Sequence, residues 1–212
     1  MSRSMRAVVV IVGASCVILV SLSRASAQSD GDSRLGRLDP TTRVAVAAVV
    51  DSAKRTRLPT EPLVDKALEG AQRGADGGRI VTAVKGLYAE LRTARAALGS
   101  GASADEISAG ANALHAGVPM RYLAQLRSAS QHAGRPRVTL PLAVTTDLVG
   151  RGVPAATATE VVLSLARAGL RDADYSVFQR NVRLDIEHGA DAAAAAQTRA
   201  RGAALRGGRG SP

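Results

Sequence analysis

Histidines, neighbouring carboxylates and arginines beside glycines are the side chains here whose chemistry deserves testing. The chain has three histidines. Asp185 and His188 lie three apart and share a helix face, so a two-ligand metal pair can be drawn. A tight site needs three or four ligands and a supporting shell, which nothing nearby in the sequence supplies. His115 and His188 each stand just before a glycine turn, where a histidine suits the negative end of a helix. His132 sits in a polar joint with Arg127, Arg135 and Arg137. Asp105 and Glu106 are adjacent at a helix start, whereas acid–base carboxylates must face each other across a substrate. Ser100, Ser108, Ser128 and Ser164 lack a G-x-S-x-G elbow. Gly70, Gly74, Gly77 and Gly78 follow no strand and precede no Gly-Lys-Ser/Thr, so they form no phosphate loop. A muramidase-type cleft would need aromatic walls, and the chain has only Tyr88, Tyr122, Tyr175 and Phe178. No catalytic residue, metal ligand or cofactor is therefore expected.

What remains is arginine. Arg127, Arg135, Arg137, Arg151 and Arg171 fall in or beside turns and form a candidate anion-binding set, with Arg167 nearby. Arg199, Arg201, Arg206 and Arg209 extend it toward the C-terminus. The chain carries +10; Arg3, Arg6 and Arg24 belong to a leader without acids, so residues 28–212 carry +7. Such a balance suits phosphate-bearing polymers or lipid headgroups. It is also what an Arg-, Ala- and Gly-rich coding bias yields, with lysine only at 54, 66 and 85.

The elements that must position these residues begin after an export signal. Arg3 and Arg6 precede an uncharged run, Ala7 to Leu22, and then Ala25-Ser26-Ala27. Positive, apolar, small-x-small is the layout of a secretory leader, with cleavage expected after Ala27 to leave Gln28 first. The apolar run has 16 residues, short of the ~20 a spanning helix usually needs. The single cysteine, Cys16, departs with the leader, which excludes disulfides and thiol chemistry from the remainder. The mature chain is expected outside the cytoplasm, in the periplasm or beyond, without a membrane span; the alternative is an uncleaved leader that stays as a membrane anchor.

Residues 28–38 read as a flexible polar leader, 39–200 as a helical domain and 201–212 as a disordered Arg/Gly tail. Within the domain one pattern recurs: a helix-period segment, a glycine, an aliphatic residue, then Pro or Asp. Ala116-Gly117-Val118-Pro119, Arg151-Gly152-Val153-Pro154 and His188-Gly189-Ala190-Asp191 are instances. Glycine closes one helix, and Pro or Asp opens the next. Several intervals cluster near 17 residues, with Gly134-Arg135-Pro136-Arg137 read as an irregular joint in a stretch twice that length. Ser103 with Glu106 forms a capping-box pattern. The expectation is an all-α fold of about eight or nine short helices joined by Gly-x-Pro/Asp turns, either a compact bundle or an irregular helical-hairpin array.

One segment, Leu58-Pro59-Thr60-Glu61-Pro62-Leu63-Val64-Asp65-Lys66-Ala67-Leu68-Glu69-Gly70, resembles part of a group of uncharacterised bacterial secreted helical proteins. In these a Pro-opened helix ends in Lys-x-x-Glu-Gly before another glycine turn. The resemblance covers residues 57–98 and implies helical fold and export, with no activity attached. Two functions follow as expectations: a non-enzymatic interaction or structural protein of the cell envelope, or a binder of anionic polymer, lipid headgroups or nucleic acid.

Overall fold

The computed structural model describes residues 33–135 and 137–207, apart from the side chains of 206 and 207. The export leader with Ala25, Ala27 and Gln28, residues 28–32 and the last five positions of the tail lie outside the described residues. After a 3-10 turn, Ser33–Arg37, come α1 (Pro40–Arg55), α2 (Glu61–Gln72), α3 (Gly77–Leu98), α4 (Ala104–His115) and α5 (Met120–His132). There follow α6 (Thr139–Gly150), α7 (Ala155–Arg167), α8 (Asp172–Glu187) and α9 (Ala192–Gly207). The fold is all-α, with no strand among the described residues.

Local chemistry accounts for the helix ends. Asp39 accepts the Thr42 amide at 3.0 Å, Asp76 that of Arg79 at 2.9 Å, and Asp191 that of Ala194 at 2.8 Å. Each carboxylate satisfies an amide the first turn leaves unpaired. At the other ends a double hydrogen bond recurs. Gly117 N donates to Leu114 O at 2.9 Å and Val118 N to Ala113 O at 3.0 Å. This closure needs a left-handed residue, and Gly117 has φ +86°. Val118 then turns inward and is buried.

Gly134 closes α5 in the same manner, at φ +69°, with Gly134 N to Gln131 O at 3.0 Å and Arg135 N to Ser130 O at 2.7 Å. The joint read as irregular is therefore another copy of the turn. The left-handed glycines at 117, 134, 152 and 169 stand 17 or 18 residues apart. Proline and two arginines after Gly134 hide the copy, because no aliphatic residue follows it until Val138. At the first turn the left-handed position falls on a non-glycine, Arg57, at φ 55°.

Two boundaries move. Leu35 and Leu38 are buried, so the leader read as flexible is anchored from Ser33 onward. Its polar composition concealed two leucines that cover the start of the core. The final helix runs to Gly207, past the limit drawn at residue 200, because Ala196, Ala200 and Ala203 bury one face of it.

Helices one or two places apart in chain order make the principal packing. In one layer α1 packs on α3, α3 on α5, α5 on α7 and α7 on α9. In the other, α4 packs on α6 and α6 on α8. The layers meet through α2–α3, α3–α4, α6–α7 and α8–α9. That pattern is an array of stacked helices, the geometry of helical repeats, rather than a closed bundle. Its core is aliphatic, with Leu63, Leu91, Ile107, Leu123, Leu126, Leu142, Leu148 and Leu165 fully enclosed.

A buried charge pair fixes one joint of the array. Glu106, 5 % exposed, accepts from Ser103 N at 3.0 Å, Val138 N at 3.0 Å and Arg127 Nη2 at 2.7 Å. One carboxylate thus ties the start of α4 to α5 and to the start of α6. Burial pushes the Glu106 carboxyl up, but hydrogen bonds from Arg127, Ser103 and Val138 outweigh it and hold it below the ordinary value.

Candidate binding groove

The second layer is interrupted. While α4, α6 and α8 pack in succession, α2 and α4 do not pack on each other in that way, and a groove of about 450 Å³ runs between them over α3. Its floor is one face of α3: Ala83, Gly86, Leu87 and Glu90, at helical offsets 0, 3, 4 and 7. One wall is α2, with Pro62, Asp65, Lys66 and Glu69; the other is α4, with Asn112 and His115.

Gly86 is the unusual floor residue. A helix-interior glycine costs about 0.5–1 kcal/mol against alanine. At two other helical glycines close packing explains the residue: a methyl at Gly110 would lie 3.0 Å from Ala94 Cβ and 3.1 Å from Leu123 Cδ2. At Gly70 it would meet Ile80 Cγ1 at 2.9 Å. At Gly86 it would meet nothing within 4 Å. No neighbour in the protein requires that glycine.

The lining carries three carboxylates, Asp65, Glu69 and Glu90, and each already has a partner within the protein. Lys66 Nζ lies 3.2 Å from Glu69 Oε2, and Arg73 Nη2 2.7 Å from Glu69 Oε1. The Lys66 hydrogen bond and charge, and behind them Arg73, hold the Glu69 carboxyl below its ordinary value. Arg34 reaches Asp65 Oδ1 at 3.3 Å from outside the groove. His115 Nδ1 stands 3.0 Å from Glu90 Oε1, and Glu90 Oε2 has no hydrogen-bond partner among the described residues. The arrangement can hold a ligand by shape, with Glu90 Oε2 as an open acceptor.

No protein-family model, curated protein or solved structure matches this chain.

The arginines expected to bind anions are mostly occupied by the protein itself. Arg127 is the buried partner of Glu106. Arg151 Nε lies 2.8 Å from Asp147 Oδ2, and Arg171 Nε 3.1 Å from Asp174 Oδ2. Arg135 Nε donates to Gly169 O at 2.9 Å, and its charge also reaches Asp174. Arg135 and Arg171 do come together, but around a carboxylate. Arg137 is exposed and has no ion-pair or hydrogen-bond partner among the described residues.

The histidines separate likewise. His132 Nδ1 sits 2.7 Å from Ser128 O in the last turn of α5. Asp185 is held by Arg199 at 2.6 Å, and no group of three or more His, Cys, Asp or Glu positioned for a metal occurs among the described residues. The groove itself draws on three helices, and no short run of the sequence contains it. The one signal was Gly86, a glycine inside an otherwise helix-forming run.

Proposed function

We propose that this chain is a non-enzymatic, exported interaction protein of the cell envelope, and that a protein partner docks in the groove between α2 and α4. The observation that carries the reading is Gly86. A glycine that weakens its helix without relieving any internal contact opens the floor of a groove to something outside the protein. Export rests on the leader pattern of Arg3, Arg6, the apolar run and Ala25-Ser26-Ala27. No helix among the described residues is long and apolar enough to cross a membrane. A groove with small and apolar residues on its floor, Ala83, Gly86 and Leu87, and polar groups around them is a usual form of a segment-binding site.

A photo-crosslinking side chain placed at Ala83 tests the reading, with Lys85 on another face of α3 as control. The expected result is a discrete adduct at Ala83, absent at Lys85 and lost when Gly86→Leu fills the floor. Equal labelling at both positions, or an adduct indifferent to Gly86→Leu, overturns it. Intact mass of the protein recovered from expressing bacteria checks export; it should begin at Gln28.

A further inference from the structure

We infer that the layer formed by α1, α3, α5, α7 and α9 is a docking face for an anionic lipid bilayer. Its exposed basic side chains meet the lipid phosphates, and three exposed apolar side chains enter between the headgroups. This surface is separate from the groove, and the inference does not rest on the groove reading.

Charge is sorted by layer. Those five helices, counted to residue 205, hold 12 Lys or Arg against 3 Asp or Glu, a net +9. The helices α2, α4, α6 and α8 hold 3 against 10, a net −7. Every helix of the second layer is net negative, and none of the first is. A coding bias toward arginine loads both layers alike, so it does not explain this division. Some first-layer cations are held inside the protein, Arg127 by Glu106 and Arg199 by Asp185. Six others are not: Arg55, Lys85, Arg92, Arg121, Arg167 and Arg201 are exposed and make no ion pair among the described residues. Asp51, beside Lys54, and Glu160 offset only part of that charge. A face of one sign attracts phosphate-bearing surfaces.

These cations lie on the side away from the second layer. On α3, Lys85 and Arg92 stand seven residues apart, opposite the groove floor of Ala83, Leu87 and Glu90. On α1, Arg55 shares a stripe with Val44, opposite buried Val46, Val49 and Ala53. On α9, Arg201 precedes Leu205 by four, opposite buried Ala196 and Ala203. Apolar side chains accompany the charge. Val44 and Leu205 are each 69 % exposed, and Met120, beside Arg121, is 53 % exposed. A bilayer favours both features, because its phosphates attract the cations and its interface accepts the apolar groups. A nucleic acid favours only the first. The ring of Tyr88 lies under Arg92, 5.9 Å from its guanidinium carbon, and is not free to stack on a base. The groove opens in the second layer, so it stays accessible when the first layer rests on lipid.

The test is co-sedimentation of the chain, as recovered from expressing cells, with vesicles of phosphatidylcholine alone or with about one third phosphatidylglycerol. Binding is expected to the mixed vesicles only, at about 0.1 M salt, and should fall steeply toward about 0.5 M. Lys85→Gln with Arg92→Gln should weaken it by about fivefold for each charge removed. Arg180→Gln with Arg183→Gln removes the same charge from α8 and should leave binding unchanged. Equal losses in the two double variants overturn the inference, because net charge alone would then drive association. Val44→Ser with Leu205→Ser should weaken vesicle binding by about tenfold and leave any retention of duplex DNA unchanged. Vesicle binding indifferent to that change, or duplex DNA that displaces the vesicles at equal phosphate, overturns the inference in favour of a nucleic-acid face. Absence of binding to the mixed vesicles at low salt overturns it outright. All six substituted residues are exposed, so circular dichroism of every variant should match the parent. The Ala83 adduct decides the groove reading separately, since a lipid adduct at Lys85 differs in mass from one with a protein partner.

Discussion

Replacing Glu106 with alanine tests how the array is held at the α4–α5–α6 joint. The side chain is 5 % exposed and accepts three hydrogen bonds, from Arg127, Ser103 and Val138. Its removal leaves the Arg127 guanidinium, 14 % exposed, without its carboxylate. Breaking a buried pair by deleting one member costs about 3–5 kcal/mol, and residual solvent at Arg127 favours the lower end. The amide of fully buried Val138 also loses its acceptor, worth about 1–3 kcal/mol. The two losses share one site and do not simply add, so we expect about 4 kcal/mol. For a domain of this size that lowers the thermal midpoint by roughly 8–16 °C. Urea unfolding followed by circular dichroism measures the free energy directly. The double variant Glu106→Met with Arg127→Met should recover the charge contribution and retain the deficit from the Val138 amide. A loss of less than about 1 kcal/mol in Glu106→Ala would refute the reasoning, because the pair would then be worth no more than a surface bridge.

Three further outcomes follow. Because the Glu106 carboxyl is held below 4.5, its stabilising effect is present above that value and lost as pH falls through the lowered folded-state pKa; acid titrations of stability should therefore be shallower in Glu106→Ala than in the parent. Alanine at two helix-interior glycines should act in opposite directions: Gly86→Ala should stabilise by about 0.5–1 kcal/mol, and Gly110→Ala should destabilise by about 1–3 kcal/mol through overpacking against Ala94 and Leu123. Arg57→Gly relieves a left-handed non-glycine residue and should stabilise by about 1 kcal/mol in the same urea assay; no gain would mean that the Arg57 side chain contributes stabilising contacts of its own.

Much of the local architecture was legible because its causes are local. A cap such as Asp39 reaches an amide three residues ahead, and a closure such as Val118 to Ala113 reaches a carbonyl five behind. The failures share a different cause. Arg127 read as a surface cation and Glu106 as a helix cap; Glu106 is that cap, but it also pairs with Arg127, 21 residues away. Leu35 and Leu38 were lost in a polar leader because only the folded core shows what they cover. The groove takes residues from Pro62 to His115, and no short motif spans that distance.

By itself, then, the order of residues determined where most helices start and stop and which stripe of them is apolar, since hydrogen bonds within a turn and helical periodicity decide these; the end of α9 is an exception, set by the core its alanines cover. Only the tertiary structure decided between bundle and stacked array, which arginines their own protein neutralises, and where the second layer opens. An apolar stripe specifies that a helix must be covered and is silent about which helix covers it. The separation of α2 from α4, with Gly86 beneath, is the consequence of that choice.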